Sequence, residues 1–366
     1  MRFQTAILIA AAACLRAEGP VTVDLLPPGP GNPRNTEGSF LKLKDGRLMF
    51  VYSRFSGDGP ADSGAASLAA RYSTDGGRTW TAKDEIVVPN EGGMNVMSVS
   101  LLRLGSGEIA LFYGRKNSML DCRPYLRVSR NEGKSWSKPR LTIPDIGYYV
   151  LNNDRVVRLP SGRILLPVAQ HRNASPEPKA FNSRGAAMCY ISDNKGKSWR
   201  RSKTVLENPS PDPAGLQEPG VVRLKDGRLL MFLRTAMGSQ YYSYSSDDGD
   251  TWTPVQPSSL KSPLSPASIE RIPKTGDLLA VWNDHSNAGE EIKGKRTPLT
   301  VAVSRDDGQT WEKAKHIATD PTGWYCYTAI EFEGDRVVLG YNAGGSGLPR
   351  LSRSVMTYFD LDWLYR

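Results

Sequence analysis

The feature that most constrains this chain is an eight-residue phrase, Ser-x-Asp/Asn-x-Gly-x-Thr/Ser-Trp, present at Ser73–Trp80, Ser129–Trp136, Ser192–Trp199, Ser245–Trp252 and Ser304–Trp311. Each copy has the chemistry of a tight hairpin. Asp or Asn bonds the turn backbone, Gly takes a positive φ, and Trp covers the hinge with apolar surface. Asn131 and Asn194 replace Asp in two copies and keep the acceptor. The residues around the Asp-Gly pairs do not fill an EF-hand loop, so the phrase is read as structural and no metal site is expected.

A second repeat occurs six times: an apolar stretch, a short polar turn with Gly, and another apolar stretch. The turns are Asp45-Gly46, Ser106-Gly107, Ser161-Gly162, Asp226-Gly227, Thr275-Gly276 and Gly334-Asp335. Flanking runs such as Ser39–Leu43 and Leu48–Tyr52 have strand length and composition. The first five hairpins are each followed by the Trp phrase, at intervals of roughly 55 to 60 residues. The chain of 366 residues has 35 Gly and 26 Pro and only 23% charged residues, which suits a turn-rich globular fold. These patterns predict an all-β, six-bladed β-propeller with four strands per blade. The last repeat lacks the Trp phrase. Val21–Leu25 is therefore expected to pair with Ser354–Tyr358 and close the ring, which removes a free sheet edge.

Residues 1–17 have the layout of a secretory signal peptide, with the apolar run Ala6–Leu15 between Arg2 and Arg16, so the propeller domain is expected over 18–366. The expected location is secreted or periplasmic. The alternative, lipoprotein anchoring at Cys14, is weakened by Ala11, where that motif has a bulky aliphatic residue. Cys122, Cys189 and Cys326 are far apart and odd in number, which describes neither a disulfide framework nor a metal cluster. Formal net charge is +9, which suits an anionic ligand. Basic runs interleaved with aromatics are absent from the sequence, so no nucleic-acid partner is expected, and no stable protein partner is implied.

In such a blade the turns between strands one and two share a face with the Trp-phrase turns between strands three and four. The opposite face carries the starts of first strands and the ends of second strands. Reading those positions gives Arg34, Glu37, Arg54, Asn95, Arg115, Asn153, Asp154, His171, Arg172, Gln217, Glu218, Arg234, Asn283–His285, Tyr325, Tyr327 and Asn342. Charged groups entering inner strands at one end point to a polar axial pocket.

Several of these segments resemble the exo-sialidases (neuraminidases), whose repeat is the Asp-box spelled above. Gln217-Glu218-Pro219-Gly220-Val221-Val222, the turn Asp226-Gly227 and Leu233-Arg234-Thr235 are similar to that family's glutamate strand and following arginine. Arg296, shortly before Leu299–Ser304, stands where the family places another arginine of its carboxylate-binding triad. Tyr327-Thr328-Ala329-Ile330 resembles the family's Tyr-Ser-x-Leu. The resemblance implies a six-bladed β-propeller of the sialidase type. It also implies Tyr327 as nucleophile, Glu218 as its base, Asp62 as general acid with Asp58 as rival, Arg234 and Arg296 as carboxylate holders, and no cofactor. Two departures stand out. Thr36 is found where the family's first arginine is expected, leaving Arg34, Arg54 and Arg115 as replacements, and Asn342 replaces a late glutamate. Glu270-Arg271-Ile272-Pro273 spells the arginine motif in the fifth blade but abuts a first turn, so it is expected to face away from the site.

The chemistry accounts for these residue types. A sialic acid carries a carboxylate on its anomeric carbon, and guanidiniums hold it through charge-assisted bonds of about 1.5–3 kcal/mol each. A carboxylate nucleophile would be repelled by that anion, whereas a phenol deprotonated by a glutamate is not. The leading expectation is thus a retaining exo-glycosidase releasing sialic acid or a related acidic sugar from glycans. The alternatives are a hydrolase or lyase for another anionic sugar, such as a uronic acid, and a non-catalytic glycan-binding propeller.

Overall fold

The computed structural model describes residues 19–57, 59–345 and 347–366. The readings at 1–17, Cys14 and Asp58 lie outside the described residues. Strand dominates the described chain. Four sheets have four strands each, and a fifth has nine. The nine-stranded sheet is two antiparallel sets that meet at a single parallel pair, Tyr148 with Cys122. Divided there, the described residues form six antiparallel units, numbered here as blades one to six.

Blade one comprises Asn35–Lys42, Leu48–Phe55, Ala66–Ser73 and Glu85–Val88, and blade two Asn95–Arg103, Ile109–Ser118, Asp121–Ser129 and Arg140–Leu141. Blade three has Tyr148–Val150 and Val157–Arg158 beside Ile164–His171, then Gly185–Ser192 and Arg200–Arg201. Blade four has Gln217–Arg223, Leu229–Arg234, Ser239–Ser245 and Gln256–Lys261; blade five has Ser268–Arg271, Leu278–Asn283, Leu299–Ser304 and Glu312–Ala318. Blade six uses Trp324–Glu333, Arg336–Gly345 and Leu348–Asp360, and Val21–Leu26 completes it in the register Val21 to Tyr358 and Val23 to Met356. The expected pairing of the N-terminal segment with Ser354–Tyr358 is therefore present.

Local chemistry explains the turns. Gly46, Gly107, Gly162, Gly227, Gly276 and Gly334 all have positive φ, at the six hairpins read in the sequence. In the first Asp-box the Asp75 carboxylate accepts from the Thr79 backbone N–H at 2.9 Å and the Thr79 hydroxyl at 2.7 Å. Asn131 and Asn194 accept the equivalent backbone N–H at 2.9 Å, so amide and carboxylate serve the turn alike. The box turns and first turns share a face, as expected: Lys44 N–H donates to Glu132, Arg163 to the Asp248 carbonyl, and Lys225 N–H to Asp307.

Apolar clusters lie between successive blades. Met49, Val51, Leu68 and Ala70 of blade one pack with Leu101, Ile109 and Leu111 of blade two. Similar layers join the later pairs, and Phe40, Phe50 and Tyr52 meet Ala329, Val338 and Met356 where blade six returns to blade one. Strands buried on both faces read as near-continuous apolar runs, and each fully buried Leu, Val or Phe contributes about 1.5–3 kcal/mol. Inner strands touch between blades one and two, four and five, and five and six, the last packs on the first, and blade three joins its neighbours through Tyr148–Val150 against Asp121–Ser129 and Ile164–His171 against Gln217–Arg223. The result is a β-propeller whose first strands surround an axis.

Candidate functional site

The inner strands of blades one, two, four and six deliver side chains to the axis through one repeated bulge. Register breaks between Thr36 and Ser39, Met97 and Ser100, Gln217 and Gly220, and Cys326 and Ala329. Inside each break one residue has positive φ: Glu37 (53°), Ser98 (61°), Glu218 (46°) and Tyr327 (58°). Left-handed backbone at non-Gly residues costs about 1–3 kcal/mol each and persists where surrounding packing enforces it. Small residues, Ser39, Ser100, Gly220 and Ala329, resume each ladder where the strands crowd together. The four left-handed side chains all line one cavity of about 370 Å³. Asp62, Lys116, Tyr148, His171, Arg234 and Arg296 join them.

On one side of this cavity the Tyr327 hydroxyl lies 3.4 Å from Glu218 Oε1, and Arg234 Nη1 donates to the same oxygen at 2.5 Å. Burial foremost, and the charge of Glu218 next, push the Tyr327 phenol above its ordinary range, so it stays protonated without a base. The Arg296 guanidinium is 5.4 Å from the centre of the Tyr327 ring and 5.3 Å from that of Trp324. Arg296 is 7% exposed, and its Nε and Nη1 have no partner among the described residues, nor do Arg234 Nε and Glu218 Oε2. Unmet buried donors and acceptors cost free energy unless a ligand or water meets them.

Arg34 dominates the blade-one side. It donates to Asp62, to the Pro60 carbonyl at 3.2 Å and to Glu37 at 3.0 Å. The Ser98 hydroxyl donates to the other oxygen of Glu37. Burial holds Glu37 above the usual carboxylate range. Desolvation also opposes the charge on Asp62, but Arg34, followed by Lys116, outweighs it and holds Asp62 below that range. His171 is pushed down to about 4 by burial, helped by Arg234 and Lys116, and is neutral at neutral pH.

Of the residues expected at the site, Glu37, Asp62, Glu218, Arg234, Arg296 and Tyr327 line the cavity, and Arg34 supports it from behind. His171 and Gln217 line it as well, whereas Asn95, Arg172, Asn283–His285 and Tyr325 do not, nor do Arg54, Arg115, Asn153, Asp154 and Asn342. Arg54 is paired with Asp84 at 2.9 Å. Arg115 bonds Asn117 at 3.0 Å and covers the Tyr125 ring; side chains alternate along a strand, so the next residue, Lys116, enters the cavity instead. Asn153 donates to the carbonyls of Gly38 at 2.8 Å and Tyr327 at 3.0 Å. Asp154 accepts from the Ser39 hydroxyl at 2.7 Å and the Ile330 N–H at 3.1 Å. This pair staples blades one, three and six across the axis, and Asp154 lines a different cavity, with Glu270, Arg271 and Glu331. The Glu270–Pro273 motif thus faces away from the site, as expected. Asn342 donates to the carbonyls of Asn35 and Arg353 and is fully buried.

Blade one also differs in register from the expectation. Thr36, matched in sequence to a clamp arginine, is fully buried with an unbonded hydroxyl, and Glu37 occupies the bulge position of Glu218 and Tyr327. Ser98, Lys116 and Tyr148 were missed. Spacing carried no signal for Ser98, which stands three residues after Asn95, whereas Glu37 stands two after Asn35 and Glu218 one after Gln217.

A propeller with Asp-box turns and a charged axial cavity defines the sialidase fold class. Residues 46–339 match the model of the BNR repeat-like domain, and the chain belongs to that family. It is 28% identical over 324 residues to a sialidase of Micromonospora viridifaciens, covering 80% of this chain and 46% of that protein. The chain thus spans about half the length of this relative. A protein of unknown function from Dyadobacter fermentans superposes with a TM-score of 0.72 at 20% identity, covering 93% of this chain and 99% of the other. The NanB sialidase of Streptococcus pneumoniae has a TM-score of 0.71 at 15% identity, covering 92% and 70%.

Proposed function

We propose that this chain is a retaining exo-glycosidase that releases a terminal sialic acid or a related acidic sugar from glycans. The observation that carries the reading is the Tyr327 hydroxyl 3.4 Å from Glu218, beside the partly unpartnered, buried Arg296. Glu218 takes the phenolic proton as Tyr327 attacks the anomeric carbon, and Asp62 protonates the departing glycosidic oxygen. Water, deprotonated by Asp62, then cleaves the tyrosyl glycoside, and the proton on Glu218 returns to the phenol. Arg234 and Arg296 hold the substrate carboxylate, and their fixed positions stabilise charge without reorganisation.

A uronide hydrolase or lyase is the second reading, favoured by Arg34, which is committed to Glu37 and Asp62 and leaves two arginines for a substrate anion. Assay on fluorogenic sialosides and uronides decides between them. Release from the sialoside that disappears in Tyr327→Phe supports the first; release from the uronide alone supports the second. Binding of acidic glycans with no turnover of either leaves a non-catalytic propeller.

A further inference from the structure

Two carboxyl groups of blade one hold the same cation. Arg34 is 1% exposed, and its guanidinium lies 4.5 Å from the centre of the Phe55 ring. Nη1 reaches Asp62 and Nη2 reaches Glu37. The Asp62 side chain is 66% exposed, whereas that of Glu37 is 5% exposed. Both line the cavity.

We propose that Glu37 is a positioning residue for Asp62: the two carboxyls divide one guanidinium, so the charge on Glu37 decides whether Asp62 carries the proton it must donate. The proposal rests on the reading of Asp62 as the acid and adds how that acid is kept charged with its proton. One guanidinium neutralises one carboxylate. With both ionised, two repelling negative charges compete for that one guanidinium, one of them on the buried Glu37, so the pair favours holding a single shared proton. When Glu37 holds that proton, Arg34 serves Asp62 alone and keeps it ionised, a donor with nothing to donate. When Glu37 is ionised, it draws on Arg34 and repels a second negative charge, and the proton resides on Asp62. The Ser98 hydroxyl, which donates to Glu37, favours this second arrangement. The proton count is the same in both; one O–H bond breaks on Glu37 and one forms on Asp62.

Other charges face the pair from every neighbouring blade. Lys116 of blade two donates to the Asp62 carbonyl at 2.7 Å. Glu218 of blade four opposes charge on Glu37, and Arg296 favours charge on Asp62. Tyr327, Tyr148, Cys122, His171 and Arg234 also line the cavity. These groups act alike with and without Glu37, so substituting Glu37 isolates the division of Arg34.

The test follows side-chain carboxyl carbons by NMR across pH, with the Asp62 signal assigned by its loss in Asp62→Asn. In Glu37→Gln the Asp62 midpoint is expected to fall by about one pH unit. Ser98→Ala removes the bond that favours ionised Glu37 and is expected to lower the midpoint in the same direction by less. Cooperative melting confirms that each variant is folded, and Ser98→Ala carries the test if Glu37→Gln does not fold. An Asp62 midpoint that stays put or rises in the folded variants overturns the proposal. The readout needs no turnover: a lowered midpoint in a protein inactive on every acidic glycoside supports the carboxyl pair while removing the glycosidase reading.

Discussion

The phenolic oxygen of Tyr327 lies 3.4 Å from Glu218 Oε1, although the two residues are 109 positions apart in sequence. Two left-handed bulges in blades four and six bring them together. Because burial keeps the phenol protonated, its reactivity depends on that one carboxylate. Tyr327→Phe is expected to lower kcat by roughly a thousandfold or more, and Glu218→Gln by about 10²–10⁴-fold. Both should still bind an acidic sugar analogue, as titration calorimetry will show. A Tyr327→Phe protein with wild-type turnover would remove the tyrosine mechanism.

Arginines near the rim divide into two groups. Arg296 is buried with two nitrogens unpartnered, whereas Arg54 is occupied by Asp84 and Arg115 by Asn117. Arg296→Ala is expected to weaken an anionic sugar analogue by about 1.5–3 kcal/mol, since a charge-assisted bond is lost. A neutral analogue of the same shape should lose far less. Arg54→Ala and Arg115→Ala should leave both affinities unchanged, and an Arg115→Ala effect matching that of Arg296→Ala would contradict the placement of these side chains.

Much of the fold was legible because it rests on local chemistry. Asp75, Asn131 and Asn194 bond turns within a few residues of themselves, and Gly46 and its counterparts supply positive φ wherever a hairpin needs it. Glu218, Arg234 and Tyr327 were legible through their spacing from those turns. The errors share a different cause. A bulge shifts which face a residue takes, so matching Thr36 to the family's arginine did not show that Glu37 takes the bulge, and Arg115 was read where alternation along the strand turns Lys116 inward. Asn153 and Asp154 follow an inner strand of only three residues, Tyr148–Val150, and turn into contacts with blades one and six that no local pattern announces. Arg54 was misplaced because its partner, Asp84, comes from a loop two strands later.

The Asp-boxes are expected to support the fold without touching the chemistry. Trp252 is 7% exposed, packs among Leu165, Leu229 and Met231, and donates to the Gly249 carbonyl at 3.0 Å. Trp252→Ala should cost about 3–5 kcal/mol of stability, seen in denaturant unfolding, with kcat per folded molecule unchanged. The box carboxylates are occupied by their own turns, as Asp247 is by Thr251, so a chelator should leave the melting temperature where it was. A drop in melting temperature on chelation would show a metal in the fold.

The second axial cavity gives the stability a pH dependence of definite sign. Asp154, Glu270 and Glu331 line it together, and each is held above the usual carboxylate range, burial being the largest cause in every case. Glu331 is raised to about 7. A carboxyl whose folded pKa exceeds its unfolded value, about 4.3 for Glu, stabilises fully below that unfolded value and loses its contribution as pH rises through the folded one. Asp75, Asp84 and Asp306 are lowered instead, and Asp247 to about 2, with hydrogen bonds from their turns or partners outweighing burial. Their contributions are complete above the ordinary aspartate pKa of about 3.9 and are lost only in stronger acid. The three carboxyls therefore withdraw stability as pH rises from about 4.3 through about 7, while His171, pushed down to about 4, adds stability as pH rises over part of the same interval. Glu331→Gln removes one of the titrating groups while keeping an amide that can accept from the Phe332 N–H, a bond of 3.1 Å in the native chain. Its melting temperature should fall less steeply over that interval than that of the native chain. Parallel slopes for the two proteins would show that Glu331 does not titrate there.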